Sequence, residues 1–267
     1  MSRYKINKPQ GIKLLPKVKL LSTMSFNSKL YEGKAKILYS TDEPEVLLTN
    51  FKDDATAFNA QKRGSIQGKG VINCGISSKL FQYLEKHGIK THFLDTPAEN
   101  QMRVRAVKIL PIEVVVRNIA AGSLCKQTGL ELGEVLQKPL VEFYFKNDQL
   151  GDPLLTRDRL FLLKLATQEQ VEEITHLALQ IDKLLQEFFF GCGITLVDFK
   201  LEFGVDSLGQ ILLADEISPD TCRLWDTSNQ QNPNLRVLDK DRFRKDLGNV
   251  EAAYQEVLQR VVKALES

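Results

Sequence analysis

Histidine and cysteine are both scarce in this chain, with three and four residues in 267. His87, His92 and His176 show no metal-ligand spacing. That argues against a histidine-bound metal centre and against a Ser-His-Asp mechanism. His87 precedes Gly88 at an expected helix end, where a cation suits the helix dipole. Cys74, Cys125, Cys192 and Cys222 are widely spaced and form no C-x-x-C pair, so they read as reduced thiols of a cytoplasmic protein. Neither sign of charge is in excess: 36 basic against 34 acidic residues leave +2, which argues against a dedicated nucleic-acid binder. No apolar run approaches the roughly 18–20 residues of a membrane span. What remains is an ordinary globular composition, long enough for one large domain or two lobes.

Residues 1–24 differ from the rest. Arg3, Lys5, Lys8, Lys13, Lys17 and Lys19 occur there with no acidic residue, and Met24 closes the segment. A targeting segment or a basic arm for acidic partners would look like this, but a secretory apolar region and cleavage pattern are missing. The expectation is a disordered extension, or an upstream start with Met24 as the true one.

Beyond it, short alternating runs predict a β-rich region over residues 25–109. A hairpin turns at Gly33, a strand covers 46–49, and extended runs lie at 91–94 and 102–107. The polar stretch 53–69, with Gly64 and Gly68, reads as a mobile loop that could also select a substrate. Ile72, Ile76, Leu80, Phe81 and Leu84 recur at helical spacing up to His87-Gly88. Ile109-Leu110-Pro111 is the expected crossing into a mixed α/β region, 110–267, because proline limits strand pairing. Within that region the pattern predicts a strand over 112–117, a short helix from Ser123, a long helix over 168–190 closed by Gly191, and a final helix over 250–265. The fold class expected is α+β, with a smaller β-rich lobe, a larger mixed lobe and a ligand cleft between them.

The most informative stretch is Leu196-Val197-Asp198-Phe199-Lys200-Leu201-Glu202-Phe203-Gly204. Read as a strand, it puts Asp198, Lys200 and Glu202 on one face, roughly 6–7 Å apart, and Val197, Phe199, Leu201 and Phe203 on the other. A second apolar run, Ile211-Leu212-Leu213-Ala214, ends in Asp215-Glu216. Paired as a hairpin turning near Ser207, it lands Asp215 beside Lys200 and Glu202. Oxygen ligands from adjacent strands suit Mg²⁺, which binds through one or two carboxylates plus substrate phosphates. A solvated acidic hairpin is the plainer alternative.

Other segments carry weaker signals. In Tyr31-Glu32-Gly33-Lys34-Ala35-Lys36 a glycine turn precedes two lysines expected on one side, suited to polyphosphate; solvated lysines are the alternative. Glu113 and Arg117 share one face of an otherwise apolar strand, which calls for mutual pairing or a ligand, and Gly122-Ser123 resembles a helix N-cap. The loop from Ile217 through Ser218, Pro219, Asp220, Thr221, Cys222 and Arg223 to Trp225 offers a hydroxyl, carboxylates and a planar guanidinium, or else a surface turn anchored by Trp225. Residues 239–244 read as a solvated helix start, from which one arginine could turn inward.

Taken in order, these residues resemble a known family. Residues 110–123 (Leu-Pro-Ile-Glu-Val-Val-Val-Arg to Ala-Gly-Ser) and 196–204 look like the two signature segments of the phosphoribosylaminoimidazole-succinocarboxamide synthase (SAICAR synthetase) family. The segments 31–36, 145–148, 215–220, 223–226 and 241–244 are also similar to it, over about residues 28–262. The resemblance implies an ATP- and Mg²⁺-dependent ligase of purine synthesis, joining carboxyaminoimidazole ribonucleotide (CAIR) to L-aspartate, with a two-lobed fold distantly like ATP-grasp enzymes and kinases. It implies Gly33, Lys34 and Lys36 at the nucleotide phosphates, and Glu202 and Asp215 at Mg²⁺. Arg117, Ser123 and Arg223 would bind the ribonucleotide, its phosphate included, with Ser218 and Asp220 also among the substrate-binding residues. Glu113, Asp198 and Lys200 would line the acceptor site, and Lys146 would approach the transferred phosphoryl group. A homodimer follows only from family habit, and no nucleic-acid or membrane partner is expected. A kinase-like phosphotransferase and a non-catalytic nucleotide-binding module are the rival readings.

Overall fold

The computed structural model describes residues 28–57 and 61–266, so the basic segment 1–24 and its expected disorder lie outside it. The described residues open with β1 (Lys29–Glu32), β2 (Lys36–Ser40), β3 (Val46–Phe51), β4 (Asp54–Ala57), β5 (Lys62–Ser65) and α1 (Lys69–Lys86). Next come β6 (Phe93–Ala98), β7 (Gln101–Arg105), β8 (Lys108–Ile119), α2 (Ser123–Thr128), β9 (Val135–Phe145) and β10 (Leu154–Leu155). The remainder is α3 (Arg157–Leu162), α4 (Gln168–Gly191), β11 (Ile194–Val205), β12 (Ile211–Ala214), β13 (Cys222–Asp226), α5 (Asp241–Arg244) and α6 (Val250–Glu266). The expected mixed α and β class is what forms.

A five-stranded sheet has the order β1-β2-β3-β7-β6, and a six-stranded one the order β10-β9-β8-β11-β12, with β13 also on β11. α1 packs on the first sheet and on α6, and α4 covers the second. The apolar cluster is continuous across both: Phe51 and Met102 belong to it with Leu80, Val114, Ile181, Phe199 and Tyr254.

Local chemistry sets the helix ends. Thr167 and Gln170 form a reciprocal capping box at the start of α4, and Val171, Ile174, Ala178, Ile181 and Leu185 make its buried stripe. α4 runs one residue past the expected stop, through Gly191, and the chain reverses at Gly193 with φ +68°. Asp53 accepts hydrogen bonds from the Gly68 and Gly70 amides, satisfying the first turn of α1.

Several expectations are corrected. The stretch 53–69 is not a plain loop: β4 and β5 pair in register from Asp54↔Ser65 to Ala57↔Lys62, with Ala55 and Ala57 buried. Ile109-Leu110-Pro111 does not interrupt pairing, because β8 runs through it. The β8–β11 register passes from Glu113↔Glu202 to Ile109↔Gly204, so a bulge absorbs the proline. Gly204 is required there, since a Cβ would lie 2.5 Å from Val107 Cγ2. A second irregularity, on the β13 side of β11, lies between Leu196 and Asp198. It moves Val197 off the expected apolar face and into a small cluster with Ala121, Trp225 and Val237. Lys34 and Lys36 do not share a side, since Lys34 sits in the turn while Lys36 opens β2. Residues 239–244 are not a solvated start: Asp239, Asp241 and Arg242 are buried, with Arg242 turned inward onto the carbonyls of Val237 and Gly248.

Candidate active site

β12 and β13 share one edge of β11, and the segment between them leaves the sheet opposite Lys200, whose amide donates to the Thr221 carbonyl. That exit begins at Asp215, held at φ +63°, a backbone conformation costly for a non-glycine residue and found preferentially at functional positions. The strain turns the Asp215 carboxylate back over the strand face that carries Lys200 and Glu202.

There three lysines meet four acids. Lys200 Nζ pairs with Glu202, lies 3.1 Å from Asp215 and reaches Glu113 at 3.4 Å. Lys36 arrives from the first sheet, pairing with Asp215 and with Glu216 at 2.9 Å. Lys146, just past β9, pairs with Glu202. Burial opposes the charges of Lys200, Lys36 and Asp215, and their partners outweigh it. Lys200 is held well above the ordinary lysine range by Asp215, Glu202 and Glu113, and Lys36 is raised by Asp215 and Glu216. Asp215 is held below the usual carboxylate range by Lys200 and Lys36. Glu113 is the exception, because burial pushes its carboxyl up despite Lys200.

A second array lies one step along the same strand face. Asp198 accepts from Arg117 Nη1 at 3.0 Å and from Arg223, and burial raises its carboxyl against both guanidinium groups. Arg117 is further fixed by Glu142 at 2.7 Å, the Ser123 hydroxyl at 2.9 Å and the Tyr144 hydroxyl at 3.1 Å. Ser123 is therefore the first residue of α2 and an Arg117 partner; the cap position is Gly122, with no side-chain cap. Gly122 adopts φ +58°, and a Cβ there would lie 2.7 Å from Arg223 Nη2, so only glycine admits the guanidinium. Of the two readings left open for Glu113 and Arg117, the mutual pair does not form; each serves a different array.

Beneath both lies the loop 216–221. The Ser218 hydroxyl donates to Glu216 at 2.6 Å and accepts from the Asp220 amide. Asp220 binds the wholly buried Lys69 at 2.8 Å and the Tyr254 hydroxyl at 2.8 Å, with Lys240 at 3.6 Å. Burial opposes its charge, yet Lys240 and Lys69 keep its carboxyl low. Lys34, by contrast, is half-exposed and pairs with Asp148 at 2.6 Å.

Of the residues expected at the site, Lys36, Lys146, Lys200, Glu113, Glu202 and Asp215 meet in the first array, Arg117, Ser123, Asp198 and Arg223 in the second, and Ser218 and Asp220 in the loop, whereas Gly33 and Lys34 stand apart at the turn. Sequence reasoning missed Glu142, Tyr144, Lys69, Tyr254 and Asp241, the last of which binds Arg223 Nε at 3.1 Å. A period-two signal existed for Glu142 and Tyr144, which alternate along β9 on either side of the buried Phe143. Lys69 and Tyr254 carried none, because their partner is distant in sequence.

The donor set can be tested against Mg²⁺. Among the described residues no three His, Cys, Asp or Glu side chains converge as a metal site of their own. Glu202 and Asp215 do, however, both reach one cationic atom, Lys200 Nζ, which stands in for a cation between them. Two carboxylates of this kind fit Mg²⁺, whose remaining ligands are water and substrate phosphate.

The profile of SAICAR synthetase matches residues 29–261. The chain belongs to the SAICAR synthetase family. It is 78% identical over 243 residues to the phosphoribosylaminoimidazole-succinocarboxamide synthase of Trichormus variabilis, covering 91% of this chain and 99% of that one. The crystal structure of the Ehrlichia chaffeensis synthase superposes with a TM-score of 0.84 at 45% identity, covering 88% of this chain and 98% of that one. A SAICAR synthetase (Type-2) in complex with ADP gives 0.82 at 45% identity, over 86% and 96% of the two chains. The family fixes the class as an ATP-dependent ligase of purine biosynthesis. Among the described residues no helix is long and apolar enough to cross a membrane.

Proposed function

We propose that this chain joins the carboxylate of CAIR to the amino group of L-aspartate, with ATP and Mg²⁺, giving SAICAR, ADP and phosphate. The observation that carries the reading is the adjacency of two arrays on alternate residues of β11. The lysine–carboxylate array around Lys200 suits phosphoryl transfer, and the Arg117–Ser123–Arg223 cradle around Asp198 suits a phosphorylated substrate.

The chemistry explains the arrangement. A carboxylate is a poor acyl donor because oxide is a prohibitive leaving group. Transfer of the terminal phosphoryl group of ATP makes it an acyl phosphate, and the amine then expels phosphate. Such a reaction asks for positioning and charge neutralisation more than for a protein nucleophile. Bound Mg²⁺ would supply further neutralisation at the phosphates, held by Glu202 and Asp215. Lys36, Lys146 and Lys200 can neutralise the transferring group, and Gly33 lets the turn bring Lys34 and Lys36 to the nucleotide. Ser123, Arg117 and Arg223 grip the ribonucleotide, while Glu113 and Asp198 face its reacting end. Ser218 and Asp220 border it from below, holding the loop through Glu216 and Lys69.

Two sheets joined between Arg105 and Lys108 support a division near 109 into a nucleotide lobe and a substrate lobe, with the arrays in the cleft. The same reading places the enzyme in the cytoplasm, as a homodimer that uses small molecules as partners.

The test is an assay with ATP, CAIR and L-aspartate, each omitted in turn. Phosphate release should need all three. Release without aspartate would instead favour a small-molecule kinase, and nucleotide binding without turnover a non-catalytic module.

A further inference from the structure

Asp215, with its left-handed backbone, is flanked on both sides by bonds to one substructure, α1 and the segment that follows it. Ahead of it, the Leu213 amide donates to the Lys90 carbonyl at 3.0 Å, and the Leu213 carbonyl accepts from the His92 amide at 2.8 Å. Behind it, both main-chain polar groups of Ile217 end on a single side chain of α1. The Ile217 carbonyl accepts from the Ser77 hydroxyl at 3.0 Å, and the Ile217 amide donates to the same oxygen at 3.2 Å. Ser77 and Ile217 are fully buried, and 140 positions separate them.

A helical serine commonly turns its hydroxyl back to a carbonyl of the preceding turn. Ser78 does so, donating to the Gly75 carbonyl at 3.0 Å. Ser77 points out of its helix instead, and its hydroxyl can donate and accept at once. Without it, a buried amide and a buried carbonyl would both lack a partner. Leu213 is already fixed by its place opposite Phe203 in the sheet, so on that flank the segment 90–92 adds a second hold. On the other flank the Ser77 hydroxyl is what secures Ile217. Asp215 sits between the two at φ +63°, a conformation that persists only where the surroundings over-determine it. Lys36 and Lys200 also grip the Asp215 carboxylate, but a cation bound there would displace those ion pairs. The main-chain bonds compete with no ligand.

We propose that Ser77 is a positioning residue of the reaction, its hydroxyl holding Asp215 in the conformation that receives the divalent cation. The inference rests on the assignment of Asp215 to Mg²⁺ and adds to it a residue outside both arrays. Ser77 meets no substrate and acts through the main chain of Ile217. Groups that orient metal ligands in this indirect way change metal affinity by about 10–100-fold when removed.

Ser77→Ala, Ser77→Cys and Ser78→Ala variants of the full chain would be compared with the unmodified protein. Amide hydrogen exchange in the metal-free protein should quicken about tenfold across 215–218 in Ser77→Ala, the size of one lost hydrogen bond, and stay the same in Ser78→Ala. Calorimetric titration of Mn²⁺, in place of Mg²⁺, into the ADP-loaded protein should give a dissociation constant about tenfold higher in Ser77→Ala. Ser77→Cys should fall between, because a thiol donates and accepts weakly, and it carries the comparison alone if Ser77→Ala fails to fold. In turnover the Mg²⁺ concentration for half-maximal rate should rise in step, with KM for CAIR within about twofold, since Arg117 and Arg223 are held by other side chains. Unchanged exchange and Mn²⁺ affinity in Ser77→Ala, or equal changes in Ser78→Ala, would overturn the positioning role. An Asp215→Asn variant that binds Mn²⁺ as tightly as the unmodified protein would instead sink the metal assignment. The exchange rates across 215–218 keep the two failures distinguishable.

Discussion

Lys36 Nζ lies 2.9 Å from Glu216 Oε1, so the second strand of the first sheet is bonded to the segment leaving the second. Glu216 and Lys36 are both largely buried there, whereas Lys34, two residues earlier, is half-exposed. The two lysines of the glycine turn therefore have different tasks. Lys36 ties the two sheets together at the lysine–carboxylate array, and Lys34 stays half-exposed beside Asp148.

Lys34→Ala should accordingly leave the melting temperature unchanged, since an exposed pair is worth about 0–1 kcal/mol. The dissociation constant for ADP should rise roughly tenfold, in line with the loss of one charge-assisted phosphate contact. A thermal melt and a calorimetric titration read the two sides of the prediction; an unaltered ADP affinity would remove Lys34 from the nucleotide site.

Glu202→Gln should lower kcat by about two orders of magnitude or more, as removal of a preorganised charge at a reacting centre does. Its side chain is almost fully buried against Lys146 and Lys200, and glutamine keeps its shape, so the fold should survive. Circular dichroism beside a turnover assay separates the two. Normal turnover would show that Glu202 holds nothing essential.

Lys69→Met should destabilise the protein by about 3–5 kcal/mol, because it leaves the buried Asp220 carboxylate without its closest cation. Adding Asp220→Asn should recover much of that loss, since a neutral amide costs far less to bury than an unpaired charge. Denaturant unfolding of the single and double variants gives the coupling; equal stabilities would mean the pair is not felt.

Tyr144→Phe should raise KM for the ribonucleotide roughly threefold to tenfold, the effect of losing one hydrogen bond that holds Arg117. KM for ATP should not move, since the Tyr144 hydroxyl bonds to Arg117 and Glu142 and not to Lys36 or Lys200. Equal changes in both constants would indicate a general packing role instead.

Asp239 gives a pH signature. Burial and the neighbouring Asp241 charge push its carboxyl up from 3.8 to about 7, while Arg223 and Arg244 outweigh burial to keep Asp241 low. The folded protein thus holds a proton that the unfolded chain releases. The stabilisation is whole below about 4 and is lost as pH rises through about 7. Melting temperatures from pH 4 to 8 should show that decline flattened in Asp239→Asn. Parallel curves for the two proteins would place the titration elsewhere.

The elements were legible wherever one physical period dominated. Helical recurrence gave α1, α4 and α6, and alternation gave β11 and its acidic face. The misses fall where a short tertiary fit outweighed local preference. Pro111 sits inside β8 because a bulge opposite Gly204 absorbs it, and β4 and β5 pair because Ala55 and Ala57 are buried. Val197 left its expected face because the ladder to β13 is irregular beside it, which no count of alternate residues reveals.

By itself, the sequence determined that Asp198, Lys200 and Glu202 line one side of a strand, since successive side chains of an extended backbone must alternate. It also determined, through its family motifs, which residues would gather. Only the tertiary structure decided how they pair: Lys36 with Asp215 across 179 positions, Lys69 with Asp220 across 151, and Arg117 with Glu142 rather than Glu113. Contacts between residues so far apart depend on which sheets and helices pack together. That packing is fixed by burial of the shared apolar core, and no local spacing of charges encodes it.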